Sequence, residues 1–394
     1  VSVSHGKRFI TIGYPSRDED MRFVFFTNTP AHVHLYKHAV NRLVEAGHEV
    51  LVLGRDYGCT VALLERYELP YQIYGACGTT KGSVFRNLPW HYARIVPAVL
   101  SFDPDMIFGV GAYAAHAGLV SRTPAVLVLD SEPTSFDHAI SRPFAAAFLT
   151  PHAFQKHLGT NHYQFRGFCE TAYLHPDVYQ PNPNIRTELE LEADEPFVVL
   201  RFNAFGSHHD VGQSGFTPEQ RRRLVKTFAE HATVFVSDEG GTLDIGSLPA
   251  RPFDVHPALL HDALASARLV VTDTQTVCTE AALLGTPVIR SNSFVGDDDM
   301  GNFRELEAQN LVVNTDDFDE VIATGLGVLS DDSIGTEWRR RRDEYVGGLV
   351  NLTDVIVSWA ESGGPEDVPS LEKWRANTER PTSDRSVPIA GESS

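Results

Sequence analysis

One segment constrains the fold more than any other: LVVTDTQTVCTEAALLGTPVIRSNSF, Leu269 to Phe294. Leu269 to Thr272 is a β-rich apolar run, and Asp273-Thr274-Gln275-Thr276 is a polar turn. A helix with apolar side chains at helical spacing follows, stopped by Gly285, and Pro287 to Arg290 forms a second strand. A strand–turn–helix–strand unit of this length belongs in a parallel sheet. There the helix N-terminus sits at the carboxyl edge of the strands, where unpaired amides and the helix dipole favour an anion. Glu280 falls about one turn into the helix, where a carboxylate can accept hydrogen bonds from a diol such as ribose. A solvated Glu on an ordinary α/β unit is the alternative.

The rest of the chain repeats this alternation. Strands are predicted at Arg22–Thr27, Glu49–Leu53, Tyr71–Tyr74, Asp105–Gly109 and Ala125–Leu129. Helices are predicted at 31–46, 57–68 and 84–101, with another near 141–146. The Pro-, Asn- and acid-rich stretch Leu174 to Pro196 then interrupts the pattern and reads as a linker. A second series opens at Phe197–Phe202, with a helix at 218–230 and a strand at Thr233–Val236. Ile334 to Ala360 reads as a closing helix, and the polar Pro/Ser/Gly-rich residues from Glu361 onward as a disordered tail. The expected architecture is α/β, with two doubly wound, Rossmann-like parallel-sheet domains facing a cleft. The expected bounds are 21–175 and 196–333, with residues 1–20 an extension before Met21, which reads as the initiator. Carboxyl-edge crevices are the ligand sites of such sheets. The absence of a G-x-G-x-x-G after the first strand counts against a dinucleotide enzyme.

The net charge of −19, with only six lysines, excludes a general nucleic-acid binder, which needs a basic footprint. An acidic, lysine-poor surface suits a halophile's cytoplasm. No apolar run reaches the length of a membrane span. Cys59, Cys77, Cys169 and Cys278 show no C-x-x-C spacing and read as reduced, mostly buried thiols.

TEAALLGTPVI resembles the nucleotide-binding segment of GT-B superfamily proteins, which include sugar-nucleotide glycosyltransferases and non-hydrolysing UDP-N-acetylglucosamine 2-epimerases. YQFRGFCETAYLHPDVY and GSHHD, with this segment, resemble an uncharacterised archaeal family of that superfamily. The resemblance spans roughly Met21 to Ala360. It implies that Glu280 binds ribose hydroxyls and that the turn at Gln275, Thr276 and Val277 cradles a diphosphate. Relatives carry Gly in that turn, where this chain has Thr274, Gln275 and Thr276.

FTNTPAHVHLYKHAVNRLVEAGHEV resembles the N-terminal loop of GT-B transferases, with Thr29-Pro30-Ala31 in place of a glycine pair. A His at this carboxyl edge titrates near neutral pH and can take a proton from an acceptor hydroxyl. By the match His32 is the base and His34 the runner-up; a locally hydrogen-bonded helix-start residue is the other reading of His32. His38 lies on another helical face.

Arg201 ends a strand, and Ser207, His208, His209 and Asp210 follow in its loop. An Arg at a strand end beside a diphosphate neutralises its charge, which assigns Arg201 to the phosphates. By resemblance Ser207 also holds the diphosphate and His208 and His209 contact the sugar, with a solvated loop the other reading of the His pair. SNSFVGDDDMGNFREL resembles an Asp-Gln-x-x-Asn sugar-binding pattern, with Asp298, Asp299 and Asn302 in register; a solvated acidic run is the alternative. Asp130 and Glu132, after the strand at Ala125–Leu129, match the region from which epimerases draw acid–base carboxylates. The preceding loop, GVGAYAAHAG, lacks the acid that epimerases also use, so Asp130 and Glu132 can instead bind acceptor hydroxyls.

These readings predict a GT-B glycosyltransferase passing a sugar from a nucleoside-diphosphate sugar to a glycan or lipid-linked acceptor in surface-glycan synthesis. A sugar-nucleotide 2-epimerase and a non-catalytic sugar-nucleotide binder are the alternatives. The expected partners are the nucleotide sugar and its acceptor, without nucleic acid. No cofactor and no bound metal are expected. The expected location is cytoplasmic, with at most peripheral contact with the inner membrane face.

Overall fold

The computed structural model describes residues 20–77, 81–204, 214–296, 299–368 and 370–374, with backbone only for 81–85. In the first domain seven strands run parallel: β1 (Arg22–Thr27), β2 (Glu49–Asp56), β3 (Tyr71–Ala76), β4 (Met106–Gly109), β5 (Ala125–Val128), β6 (Ala147–Pro151) and β7 (His162–Phe165). Between them lie α1 (Pro30–Glu45), α2 (Thr60–Arg66), α3 (Lys81–Phe102), α4 (Ala112–Ser121) and α5 (Ser135–Ser141). The short helices α6 (Thr171–Leu174) and α7 (Ile185–Glu188) lead into the second domain.

That domain carries β8 (Phe197–Phe202), α8 (Pro218–Phe228), β9 (Thr233–Asp238), β10 (Arg251–Pro252), α9 (Leu260–Ser266) and β11 (Leu269–Thr272). It continues with α10 (Thr276–Leu284), β12 (Val288–Arg290), α11 (Gly301–Ala308), β13 (Val313–Asn314) and α12 (Phe318–Ser330). The chain ends in α13 (Asp332–Val346), α14 (Leu352–Ser362) and β14 (Leu371–Lys373).

The sheet orders are β14-β7-β6-β5-β4-β1-β2-β3 and β10-β9-β8-β11-β12-β13. Both are doubly wound, and their order reverses between β1 and β4 and between β8 and β11. Ligands of such sheets sit outside the strand ends at those reversals. Helices cover both faces, so the central strands carry no polar side. Phe23 and Phe25 enter one core and Val24 and Phe26 another, all fully buried. In the signature unit Gly285 takes φ +77° and caps α10, and the Thr286 amide returns to the Ala281 carbonyl. That left-handed turn is why a glycine stands there.

The fold matches the expected two-domain plan and departs from it in detail. The strands β6, β7, β10 and β14 were not anticipated, nor were the helices α4, α6, α7 and α11. The helix expected near 141–146 lies at Ser135–Ser141. The expected closing helix is two helices, broken at Gly347–Asn351. The first packs on α10 and α12 of the second domain; the second packs on α1 and α6 of the first. The chain then adds β14 antiparallel to β7, so the residues just past Glu361 are structured rather than tail. Trp374 stacks on His157, with ring centroids 4.7 Å apart.

Candidate active site

The domains touch through α1 and α6 against α9 and α10, and through the loop after β5 against α11. At the β1 end, Asn28 locks the turn: its side-chain amide donates to the Val110 carbonyl beyond β4, and its Oδ1 accepts the Tyr74 hydroxyl at 2.8 Å. At the β8–β11 end, the Asp273 carboxylate accepts the Asn203 amide at 2.6 Å and the Phe216 amide at 3.2 Å. One side chain therefore fastens both flanks of the loop after β8. Arg221 reaches Asp273 and forms a 3.0 Å ion pair with Asp238. Burial nevertheless raises the Asp273 carboxyl to about 6.

Glu280 lies on α10 and is 2% exposed. Its Oε1 accepts the Tyr173 hydroxyl of the first domain at 2.8 Å and His261 Nε2 at 2.9 Å. Its Oε2 is buried and has no hydrogen-bond partner among the described residues. His261 packs edge-on against His34 of α1, with ring centroids 4.5 Å apart, and His34 in turn meets the Tyr67 hydroxyl. Burial brings the Lys37 ammonium down to about 8, against the opposing pull of Asp262 and Glu280. An acceptor oxygen without a donor in a buried place is costly, and a ligand hydroxyl would satisfy it.

His32 and His34 are two residues apart on a helix and so point to different sides. His34 is the one that reaches the Glu280 network, and burial together with His261 holds its imidazole well below its ordinary pKa. His32 stays at the β1 turn, where its Nδ1 accepts the Asn28 amide at 3.2 Å. Burial and the Arg55 guanidinium lower it to about 3. A neutral imidazole with Nδ1 so engaged carries its proton on Nε2, which is then a donor and not the lone pair a base needs.

The acids of the first domain are held differently. Asp130, half-buried after β5, accepts the Cys169 thiol. Next to it stands Glu170, at the start of α6, a residue the sequence reading did not single out. Burial and the facing Asp130 push Glu170 well above the ordinary carboxylate range, and burial raises Asp130 as well. Glu170 also feels Glu280, and its Oε2 has no partner among the described residues. Two facing carboxyls each disfavour the other's ionisation, so both hold their protons more tightly than an isolated acid. Glu132 instead joins the domains: its Oε1 accepts the Gly301 amide of α11 at 3.2 Å and the Gln155 amide at 3.3 Å.

Of the expected phosphate ligands, Thr276 stands exposed at the start of α10 and Val277 is buried behind it. Gln275 caps that helix without a side-chain hydrogen bond, so no side chain of the cap covers its first-turn amides. Arg201 pairs with Glu239 and Ser237, and its buried Nε has no partner among the described residues. Ser207, His208, His209 and Asp298 lie outside the described residues.

Asp299 is not a free sugar acceptor. It forms a fully buried ion pair with Arg290 at 2.6 Å and also accepts the Asn314 amide and the Met300 backbone amide. Arg290 lies 3.6 Å above the Phe303 ring. Asn302 is buried in the first turn of α11, close to where Gly301 meets Ala153 of the first domain. Farther along the interface, His152, Arg166, Glu305 and Tyr345 line an open groove of about 780 Å³ that none of His32, Arg201 or Glu280 borders. Among the described residues no three His, Cys, Asp or Glu side chains are arranged to hold a metal ion. No described helix is long and apolar enough to cross a membrane.

Comparison with known proteins agrees with this architecture. An uncharacterized protein of Methanocaldococcus jannaschii is 24% identical over 317 residues, covering 76% of this chain and 89% of that protein. Among solved structures, a candidate UDP-N-acetylglucosamine 2-epimerase from Listeria monocytogenes superposes with a TM-score of 0.61 at 13% identity, over 88% of this chain and 96% of its own. S. aureus MnaA, solved with UDP, gives 0.60 at 13% identity over 88% and 99%. The spinosyn forosaminyltransferase SpnP gives 0.57 at 14% identity over 86% and 100%. These neighbours share the GT-B fold. The model of one family, described as a protein of unknown function (DUF354), matches residues 22–357, and the chain belongs to that family.

Proposed function

We propose that this chain acts on a nucleoside-diphosphate sugar in the interdomain cleft. On this reading it is a glycosyltransferase that passes the sugar to a hydroxyl of a glycan or lipid-linked acceptor in surface-glycan synthesis. The observation that carries the reading is Glu280: one oxygen is fixed by Tyr173 and His261, and the other is a buried acceptor awaiting a donor. A ribose diol supplies that donor. The start of α10 then meets the diphosphate with uncapped amides, and Arg201 reaches the same phosphates once it leaves Glu239.

The acid–base role goes to Asp130 with Glu170. The ionised carboxylate of the pair takes the acceptor's proton as its oxygen bonds to the anomeric carbon. The bond from that carbon to the phosphate oxygen breaks, and the nucleoside diphosphate leaves with the electron pair. His32 donates from Nε2 to a sugar or phosphate oxygen. Asp299 and Asn302 shape the wall on the α11 side. No cofactor or metal takes part in this scheme, and the reaction takes place on the cytoplasmic side.

The same carboxyl pair favours a second reading, a sugar-nucleotide 2-epimerase, because that reaction needs an acid and a base beside one sugar. Incubating the full chain with a panel of nucleotide sugars, with and without acceptor alcohols, separates the two. A transferase releases nucleoside diphosphate in proportion to glycosylated acceptor; an epimerase interconverts donors with none present. Glu170→Gln should lower turnover by about 10²–10⁴-fold with nucleotide affinity retained. Absence of binding to every nucleoside diphosphate in calorimetry would overturn both readings.

A further inference from the structure

The helices α3, α4 and α5 cover one face of the first sheet, with α4 between the other two. His116 ties them together: its Nδ1 meets the Tyr92 hydroxyl of α3 at 2.5 Å and its Nε2 the Ile140 carbonyl of α5 at 3.1 Å. Six of the seven large apolar side chains that stand exposed among the described residues lie on or just after these helices. They are Trp90, Leu100, Leu119, Val120, Phe136 and Phe144, and Trp90 is 73% exposed.

The charge of this face is as unusual as its apolarity. No acid occurs between Leu69 and Phe102, a stretch of 34 residues where 52 acids in 394 would place four or five. The outward stripe of α3 reads Arg86, Pro89, Trp90, Ala93, Arg94, Pro97 and Leu100, at helical spacing and all exposed. A solvated helix face of an acidic protein carries Asp and Glu, and this one carries two arginines around a tryptophan. The only acid within the three helices, Asp137, turns inward to the Ala112 amide at 3.3 Å, and exposed Asp103 stands just past the end of α3. Arg122 follows Leu119 and Val120 at the end of α4, also exposed.

We infer that this face docks on an anionic lipid surface. Exposed Trp flanked by Arg matches the water–hydrocarbon boundary, where the indole sits at headgroup depth and each cation gains from anionic headgroups. The net charge of −19 does not prevent this. Beyond a Debye length of about 10 Å the distant acids are screened, and the local cations decide. A second copy joined through the same face would set arginine against arginine across a twofold axis, which charge disfavours. The face lies outside the cleft, so its test is independent of the nucleotide site.

The experiment is co-sedimentation of the full chain with phosphatidylcholine vesicles, with and without phosphatidylglycerol, alongside light scattering of the free protein. The expected result is binding that requires phosphatidylglycerol. Arg86→Gln and Arg94→Gln should each weaken it by about fivefold. Trp90→Ala should weaken it as well, with nucleotide binding unchanged. Three outcomes would overturn the inference: no binding to either vesicle, equal binding to both, or a dimer in solution that Trp90→Ala dissolves.

Discussion

The Tyr173 hydroxyl of the first domain donates a 2.8 Å hydrogen bond to Glu280 of the second. The residue expected to hold ribose is thus also a point at which the domains recognise each other. On the proposed function, nucleotide binding and the contact between the domains act on one carboxylate, whose second oxygen has no partner among the described residues.

Glu280→Gln keeps an acceptor for Tyr173 but removes the charge facing the ligand. Calorimetric titration with UDP and other nucleoside diphosphates should show affinity lower by about 1–3 kcal/mol. Unchanged affinity for every ligand that the native protein binds would remove Glu280 from the site.

Asp273 makes a pH prediction. Its carboxyl is raised by burial from 3.8 to about 6 in the folded chain. A group with a raised folded pKa contributes stability that is fully present below its unfolded pKa and is lost as pH rises through the folded value. The melting-temperature advantage of the native protein over Asp273→Asn should therefore be larger at acid pH than at neutral pH, by the equivalent of about 3 kcal/mol. A difference that is flat across this window would mean that Asp273 titrates normally.

Asp299 separates a structural role from a sugar-binding one. Its ion pair with Arg290 is fully buried, so Asp299→Ala leaves an uncompensated guanidinium. Chemical denaturation should show a loss of about 3–5 kcal/mol. Undiminished stability with weaker sugar affinity would restore the sugar-contact role.

Gly301 lies where the two domains touch. A Cβ there would overlap the Ala153 carbonyl oxygen and lie 2.8 Å from its carbon, and backbone cannot step aside. Gly301→Ala should cost about 1–3 kcal/mol or hold the domains apart. Small-angle scattering would detect the second outcome as a larger radius of gyration, and neither effect would place the contact elsewhere.

Much of this was legible in the chain. The signature segment gave its strand, helix and Gly285 stop because period, cap and breaker agree there. β6 and β7 escaped because AFLTP and HYQF are four or five residues long, with Pro and polar residues at their ends, and local pattern does not distinguish such runs from loops. The pairing of Asp130 with Glu170 could not be read at all. They lie forty positions apart, and only the folded β5–α6 geometry sets the two acids face to face. His32 was visible as a residue of the β1 turn, but its tautomer depends on the Asn28 amide, a contact with no signature in composition or spacing. The Asp299 pairing likewise depends on a buried Arg290 nine residues earlier, on the neighbouring strand end.

The return of the chain bears on how the protein is made. α14 and β14, formed from residues 352–373, complete the helical cover and the edge of a sheet whose first strand begins at Arg22. During synthesis the first domain leaves the ribosome without that helix and with β7 as an open edge. The second domain is then translated in full before the missing pieces arrive. A truncation near residue 350 would therefore damage the half of the protein that was translated first.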